Sequence, residues 1–315
     1  MHSSPYSVLA SPILPLATRH SLALLALIDL GLPLGEPLVA SWTHHSPIPS
    51  TCKSSDELSN TAAPPCILGV DEAGRGPVLG PMVYGICYAA FSEQDFVAKL
   101  GVDDSKVLTE PMRNPLFESM QLPHQRERIG WAVKVLSPQD LSNWMLRTAK
   151  YNLNAIAHDT TIGLIKETLA RGVNVKEVYV DTVGPPEKYQ DKLSRIFPGI
   201  QFTVTKKADS LFPIVSAASI CAKVIRDAVL LHWRFSESIA PINRDELTYS
   251  PGLDANNSNS SPWSTQFGSG YPSDPNTVKW LHGHLDPVFG YPGIIRFSWA
   301  TCEKLVNAKG VEVKW

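Results

Sequence analysis

Residues 66 to 90 read "CILGVDEAGRGPVLGPMVYGICYAA", two apolar runs joined by a glycine-rich turn, and no other stretch limits the possible folds as much. Short apolar runs bounded by turn residues and rich in Val, Ile, Tyr and Cys read as strands rather than helices. The first run ends on adjacent carboxylates, Asp71 and Glu72. A third strand-like segment, "RIGWAVKVL", follows at 128 to 136, after a polar and partly helical stretch. Three strands in series, the first two joined by a turn, predict an antiparallel meander.

The hydrophobic period then changes. From Pro138 to Leu169 the apolar positions follow helical spacing, which predicts two helices or one broken helix, ended by Gly172. "EVYVDTVG" (177 to 184) reads as a strand ending at Asp181, "YQDKLSRIF" as a helix stopped by Pro198-Gly199, and "QFTVT" as a strand leading into "KKAD". Residues 210 to 235 read as a long helix with Pro213 in its first turn. Its small residues, Ser216 to Ser219, allow a close neighbour. "RFSWATCEKLVNA" predicts a terminal helix. The order β-β-β-α-β-α-β-α is an α/β layered domain: three antiparallel strands, then α/β units in one mixed sheet flanked by helices, with a helical C-terminal extension.

The apolar fraction of 43% is enough for a core, so a wholly disordered chain is excluded. The net charge of −2 advertises no bulk affinity for nucleic acid, but clustered acidic ligands hide local basic patches in such a total. Five scattered cysteines without a CxxC argue against a disulfide framework or zinc site and fit a reducing compartment. Residues 1 to 62 read as a mostly disordered leader, with the folded domain at 63 to 315. The apolar run at 22 to 28 is interrupted before the ~20 residues that a membrane span needs. The leader is also poor in Lys and Arg for a signal or organelle-targeting peptide. Residues 244 to 266, rich in Asn and Ser, read as a flexible surface insertion.

Asp71, Asp181 and Asp209 each stand where a strand, or the short segment after it, gives way to a loop or helix. In α/β sheets such positions gather at the carboxyl ends of strands. An Asp at a strand end is often only a turn or cap residue; the pair Asp71-Glu72, ending an apolar strand and preceding Gly74-Arg75-Gly76, is harder to read so. Four converging carboxylates repel one another unless a cation intervenes. Hard oxygen ligands suit Mg²⁺, or Mn²⁺ in its place, and four of them are enough for two ions. The glycines let backbone approach a ligand, and Arg75 offers donors matched to phosphate. The spacing GxGxxxG is not the dinucleotide fingerprint, and no Gly-Lys-Ser/Thr marks a P-loop. Metal carboxylates beside a phosphate-reading loop describe metal-assisted phosphodiester chemistry.

With these residues assembled, the chain resembles the type 2 ribonucleases H (ribonuclease HII), and more narrowly the catalytic branch of eukaryotic ribonuclease H2. The likeness rests on "GVDEAGRGPVLGPMVYGICY", "DDSK" (103 to 106), "YVDTVG", "KKADSLFPIVSAASICAKVIRD", "GSGYPSDP" and "PVFGYPGIIRFSW". It covers about residues 66 to 315 apart from the insertion. The resemblance implies an RNase H-like fold. It also implies two Mg²⁺ or Mn²⁺ ions on Asp71, Glu72, Asp181 and Asp209, and cleavage leaving 5′-phosphate and 3′-hydroxyl ends. Gly74, Arg75 and Gly76 match the loop that reads the RNA-to-DNA junction, and Tyr271 the tyrosine that touches the ribose 2′-OH. Ser105, Lys106 and Lys223 match phosphate-holding positions, while Lys206, Lys207 and Arg226 receive no specific role.

Substrates implied are RNA/DNA hybrids and duplex DNA carrying single ribonucleotides. Implied partners are the non-catalytic ribonuclease H2 subunits B and C, with a nuclear role in ribonucleotide removal and no membrane. Two rival readings stand beside it: a scaffold protein that binds hybrids without cutting, and another metal-dependent nuclease of the same superfold.

Overall fold

The computed structural model describes residues 30–54, 62–101, 109–149, 151–182, 184–237 and 263–314. Six strands form one sheet: β1 (Trp42–His45), β2 (Cys66–Ala73), β3 (Met82–Ala90), β4 (Ile129–Leu136), β5 (Val175–Asp181) and β6 (Gln201–Thr205), in the spatial order β1-β4-β3-β2-β5-β6. The pairs β1–β4, β4–β3 and β3–β2 are antiparallel, whereas β2–β5 and β5–β6 are parallel. This is the mixed sheet that the change of period predicts. The central strands β2 and β3 are buried almost throughout. That is why they read as unbroken apolar runs rather than alternating ones.

The helices, in chain order among the described residues, are α1 (Gln94–Ala98), α2 (Glu110–Met120), α3 (Pro123–Arg126), α4 (Pro138–Leu146), α5 (Leu153–Ala170), α6 (Pro186–Ile196), α7 (Pro213–Leu231), α8 (Pro275–Gly283) and α9 (Ala300–Lys309). The helical spacing from 138 to 169 thus resolves as two helices, each with its own cap. Ser137 accepts from the Asp140 N–H at 3.0 Å, and Asn152 accepts from Asn154 and Ala155, each at 3.0 Å.

One core lies between the sheet and α7, with Val83, Cys87, Val133, Ala218 and Ile225 among its members. The other lies between the opposite sheet face and α5 and α6, with Leu68, Ile86, Ile165 and Leu193. The small residues of α7 have a specific use. A Cβ on Gly69 would stand 2.4 Å from the Ile214 carbonyl oxygen, and one on Gly85 2.5 Å from that of Ala218. The α7 backbone therefore lies directly on β2 and β3, which fixes how far its side chains stand from the strand ends.

Two sequence expectations need correction. The folded domain does not begin at 63, because residues 30–54 are part of it. Trp42–His45 is the edge strand, registered from Trp42 opposite Val135 to His45 opposite Ala132. Lys134 Nζ donates to Thr43 Oγ1 at 2.9 Å, and His44 packs on Trp131 with ring centroids 5.1 Å apart. "WTHH" has neither apolar alternation nor a local partner, so its strand character comes from β4, some ninety positions away. The run at 22 to 28 lies outside the described residues. Second, the last four positions of the 244 to 266 stretch belong to the described fold. Ser264 accepts from Trp280 Nε1 at 2.7 Å and Trp263 packs on Phe235, while 244 to 262 lie outside the described residues. Among the described residues no helix is long and apolar enough to cross a membrane. All five cysteines are free and buried.

Candidate functional site

The site is built where the parallel strands end. β2 and β5 run in register to Val70 opposite Val180, so the next residues, Asp71 and Asp181, stand at the same end of the sheet. Asp181 in turn pairs with Thr205 at the end of β6. The chain then turns within three residues into a single 3₁₀ turn, Ala208–Ser210, which carries Asp209. Asp71 is 5% exposed and Asp209 2%. Asp71 accepts from the Glu72 N–H at 2.8 Å and from Ser219 of α7. Asp181 Oδ1 accepts from Thr182 N and Ala208 N, each at 3.1 Å.

Burial, and then the negative charges of Glu72 and Asp181, push the Asp71 carboxyl well above its ordinary range. The structure thus gathers all four predicted carboxylates at one end of the sheet. Among the described residues no three Asp, Glu, His or Cys side chains close on one point as a finished chelate. The donor chemistry still fits a hard divalent cation: every donor is a carboxylate oxygen, and the buried Asp71 lies in the field of two like charges.

The glycine-rich loop is held from below by two buried arginines. Arg296 is fully buried; its Nη2 donates to the Gly74 carbonyl at 2.7 Å, Nε to that of Gly80 at 2.8 Å and Nη1 to that of Arg75 at 3.3 Å. Arg226 Nε donates to the Pro81 carbonyl at 3.2 Å. Burial, with the Arg226 charge adding to it, presses Arg296 well below its ordinary pKa, and Tyr271 opposes this. Gly74 has φ +76°, and a Cβ there would lie 2.1 Å from Arg226 Nε, so both the left-handed backbone and the contact require glycine.

The Arg75 guanidinium turns the other way. Its Nη2 donates to Asn154 Oδ1 at 2.5 Å and its Nη1 to Tyr84 Oη at 3.5 Å. It lines a cavity of about 220 Å³ shared with Glu72, Asp181, His158 and Lys188.

Tyr271 reaches the same loop from the far end of the chain. It is 47% exposed, and a Cβ on Gly76 would stand 2.9 Å from its Cε1. The Tyr271 loop is tied down by Val78 N donating to Gly270 O at 2.8 Å and by Asp274 Oδ2, which accepts from Ser269 N at 2.6 Å. Those backbone and hydroxyl hydrogen bonds from Ser269 hold the Asp274 carboxyl below its usual range. Lys223 is half-buried on α7, one turn after Ser219. Ser105 and Lys106 lie outside the described residues.

Sequence reasoning missed Arg296, Asn154, Tyr84 and Trp299, whose Nε1 donates to the Gly76 carbonyl at 3.2 Å. A signal for Arg296 was present: a lone arginine between the apolar "GYPGII" and "FSW" is placed to be buried, and a buried arginine needs several acceptors.

A mixed six-stranded sheet, four antiparallel strands then α/β units, with carboxylates at the parallel strand ends, defines a nuclease of the ribonuclease H-like fold. The ribonuclease HII family matches residues 68–241. The chain belongs to that family of ribonuclease H enzymes. It is 47% identical to the A subunit of ribonuclease H2 from Bos taurus over 270 residues, 86% of this chain and 80% of that protein. With the corresponding Homo sapiens protein the identity is 46%, over 86% and 79% of the two chains. With that of Arabidopsis thaliana it is 49%, over 81% and 77%. Among solved structures, ribonuclease H2 from Pyrococcus horikoshii OT3 superposes with a TM-score of 0.56 at 27% identity, covering 77% of this chain and 98% of that one.

Proposed function

We propose that this enzyme hydrolyses the RNA strand of RNA/DNA duplexes and cuts beside single ribonucleotides embedded in duplex DNA, leaving 5′-phosphate and 3′-hydroxyl ends. The observation that carries the reading is the approach of the Tyr271 ring to Gly76, on the loop that follows Asp71 and Glu72. Only the 2′-OH tells ribose from deoxyribose, and reading it takes close backbone approach and a polar aromatic edge together. Gly74 and Gly76 supply the approach and Tyr271 the ring with its hydroxyl. Arg75 offers a fork of donors to the adjacent phosphate, and Lys223 a further charge on α7.

Asp71, Glu72, Asp181 and Asp209 would hold two Mg²⁺ or Mn²⁺ ions. Bound there, such ions supply positive charge to the phosphate and lower the pKa of water. The carboxylates orient that charge, while the arginine-braced loop fixes the ribose relative to it. By its similarity to the ribonuclease H2 proteins above, the chain acts in a heterotrimer with two non-catalytic subunits, B and C, and removes ribonucleotides from DNA in the nucleus.

The test uses this chain co-expressed with those two subunits and three duplexes: all-DNA, full hybrid, and DNA with one ribonucleotide, each with and without Mg²⁺. The expected result is Mg²⁺-dependent cutting 5′ of the lone ribonucleotide, with all-DNA intact. Cutting of the full hybrid alone would remove the junction reading. No cutting by the assembled complex would move the scaffold reading to first place. Tyr271→Ala is expected to lower cleavage at the lone ribonucleotide about 10–100-fold, the value of one to two polar and stacking contacts, and to affect the full hybrid less. Equal loss on both duplexes would assign Tyr271 to general binding.

A further inference from the structure

Among the described residues one non-glycine residue has a positive φ: Lys207, at φ 58° and ψ 38°, in the left-handed region. It is neither Asn nor Asp, the side chains that tolerate this conformation best. Its place in the chain is specific. β6 ends at Thr205, and two residues later Lys207 reverses the backbone. The reversal does three things. It turns the Ala208 N–H onto Asp181 Oδ1 at 3.1 Å. It lets Ser210 N bond back to the Lys207 carbonyl at 3.1 Å, closing the 3₁₀ turn. It also carries Ala208 and Asp209 into the interior, 0% and 2% exposed, while the Lys207 side chain stays exposed. A right-handed residue at this point would send the following N–H and the Asp209 carboxylate elsewhere.

We propose that Lys207 is a positioning residue for the carboxylate set, acting through its backbone conformation: its left-handed turn couples Asp181 to Asp209 through the Ala208 N–H. Strain of this kind persists only where the surroundings over-determine it, and here they are the two carboxylates of the site. Glycine would adopt the turn without steric cost but would leave it freer to open, whereas a β-branched residue resists it. The inference rests on the cleavage reading above for its kinetic consequence but not for its structural one.

The experiment is a series at one position, Lys207→Gly, →Asn, →Ala and →Val, in the assembled complex. Two readouts are taken: steady-state cleavage of the duplex that the wild type cuts best, and hydrogen exchange of the Ala208 amide. Gly and Asn are expected to keep kcat within about threefold of wild type, Ala to fall between, and Val to lose roughly tenfold or more in kcat with little change in KM, following tolerance of the left-handed region. Ala208 exchange should accelerate in the same order. If Gly and Asn are as impaired as Val, with raised KM and a shallower salt dependence of binding, Lys207 acts through its charge on a phosphate and the proposal is overturned. A Val variant with wild-type kcat and Ala208 protection also overturns it. Should Val not fold, the Ala-to-Gly comparison carries the same decision. Ala208 exchange does not depend on activity, so failure of the cleavage reading is separable: the wild type would then cut no ribonucleotide-containing duplex while the exchange order still holds.

Discussion

Replacing Asp71 with Asn is expected to lower cleavage by at least about 10²–10³-fold, the loss that follows removal of one preorganised charge from a reacting centre. The same change should raise the stability of the metal-free protein. The amide keeps the volume of the carboxylate and an oxygen to accept the Glu72 N–H, so the end of β2 is not disturbed. What it removes is a buried negative charge. Burial, then Glu72 and Asp181, raise the Asp71 pKa well above 3.8, and the hydrogen bonds from Ser219 and the Glu72 amide offset only part of that. The folded, metal-free protein therefore binds this proton more tightly than the unfolded chain does. Its contribution to stability is complete below the unfolded pKa and is lost as pH rises through the folded one.

In EDTA the variant should accordingly be more stable than wild type at about pH 8, by about 1–3 kcal/mol as for a buried polar group relieved of its desolvation. The gap should narrow as pH falls towards 3.8. Added Mg²⁺ should reverse the order, since an ion bound only by the folded state stabilises it in proportion to its occupancy. Urea denaturation of both proteins across pH, with EDTA or Mg²⁺, measures all of this. Equal stability at every pH would show that the charge of Asp71 is already compensated, and undiminished cleavage would remove it from the metal set.

Arg296→Gln is expected to have the second largest effect, on stability and activity together. The guanidinium serves three carbonyls of one loop, those of Gly74, Arg75 and Gly80, from a position with no exposure. A glutamine is shorter and offers one NH₂ group, so at least one or two buried acceptors are left without a donor. Lost charge-assisted hydrogen bonds and unsatisfied carbonyls together cost on the order of 3 kcal/mol. Cleavage should fall about 10–100-fold, the usual consequence of loosening groups that orient a site without touching substrate. The loss should appear in kcat more than in KM, because Arg296 holds the loop and Arg75 itself reaches outward to Asn154. Lysine at this position should recover only part of the loss, since a point charge does not fork to three acceptors. A glutamine variant with wild-type urea midpoint and kcat would show that the loop is set by Trp299, Arg226 and its own glycines instead.

The strands β2 to β6 and the helices α4 to α7 were legible because their signals are local. A buried strand is a short apolar run and a half-buried helix repeats every 3.6 residues, whatever lies beside them. The carboxylates were legible for the same reason: Asp71 and Asp181 end recognisable strands, and a polar pair after an apolar run is visible without a partner. The small residues of α7 announced a close neighbour but not which one; Gly69 and Gly85 supply it from two different strands.

The edge strand β1, the bracing of the loop by Arg296 and the hold of Asn154 on Arg75 were not legible. Each depends on residues far apart in the chain: Trp42 with Val135, Gly74 with Arg296, Arg75 with Asn154. Nothing in "WTHH" prefers a strand until β4 offers its open hydrogen-bonding edge. Nothing near Arg296 reveals which carbonyls it will meet.

By itself, then, the sequence determined the elements of the sheet and the chemistry placed at their ends, because periodicity and side-chain type are properties of neighbouring residues. The tertiary structure alone decided the edge strand β1, the arginine beneath the glycine loop and the left-handed turn that brings the Ala208 N–H to Asp181. Those rest on distance and direction between remote segments, which packing fixes only once the whole chain has closed.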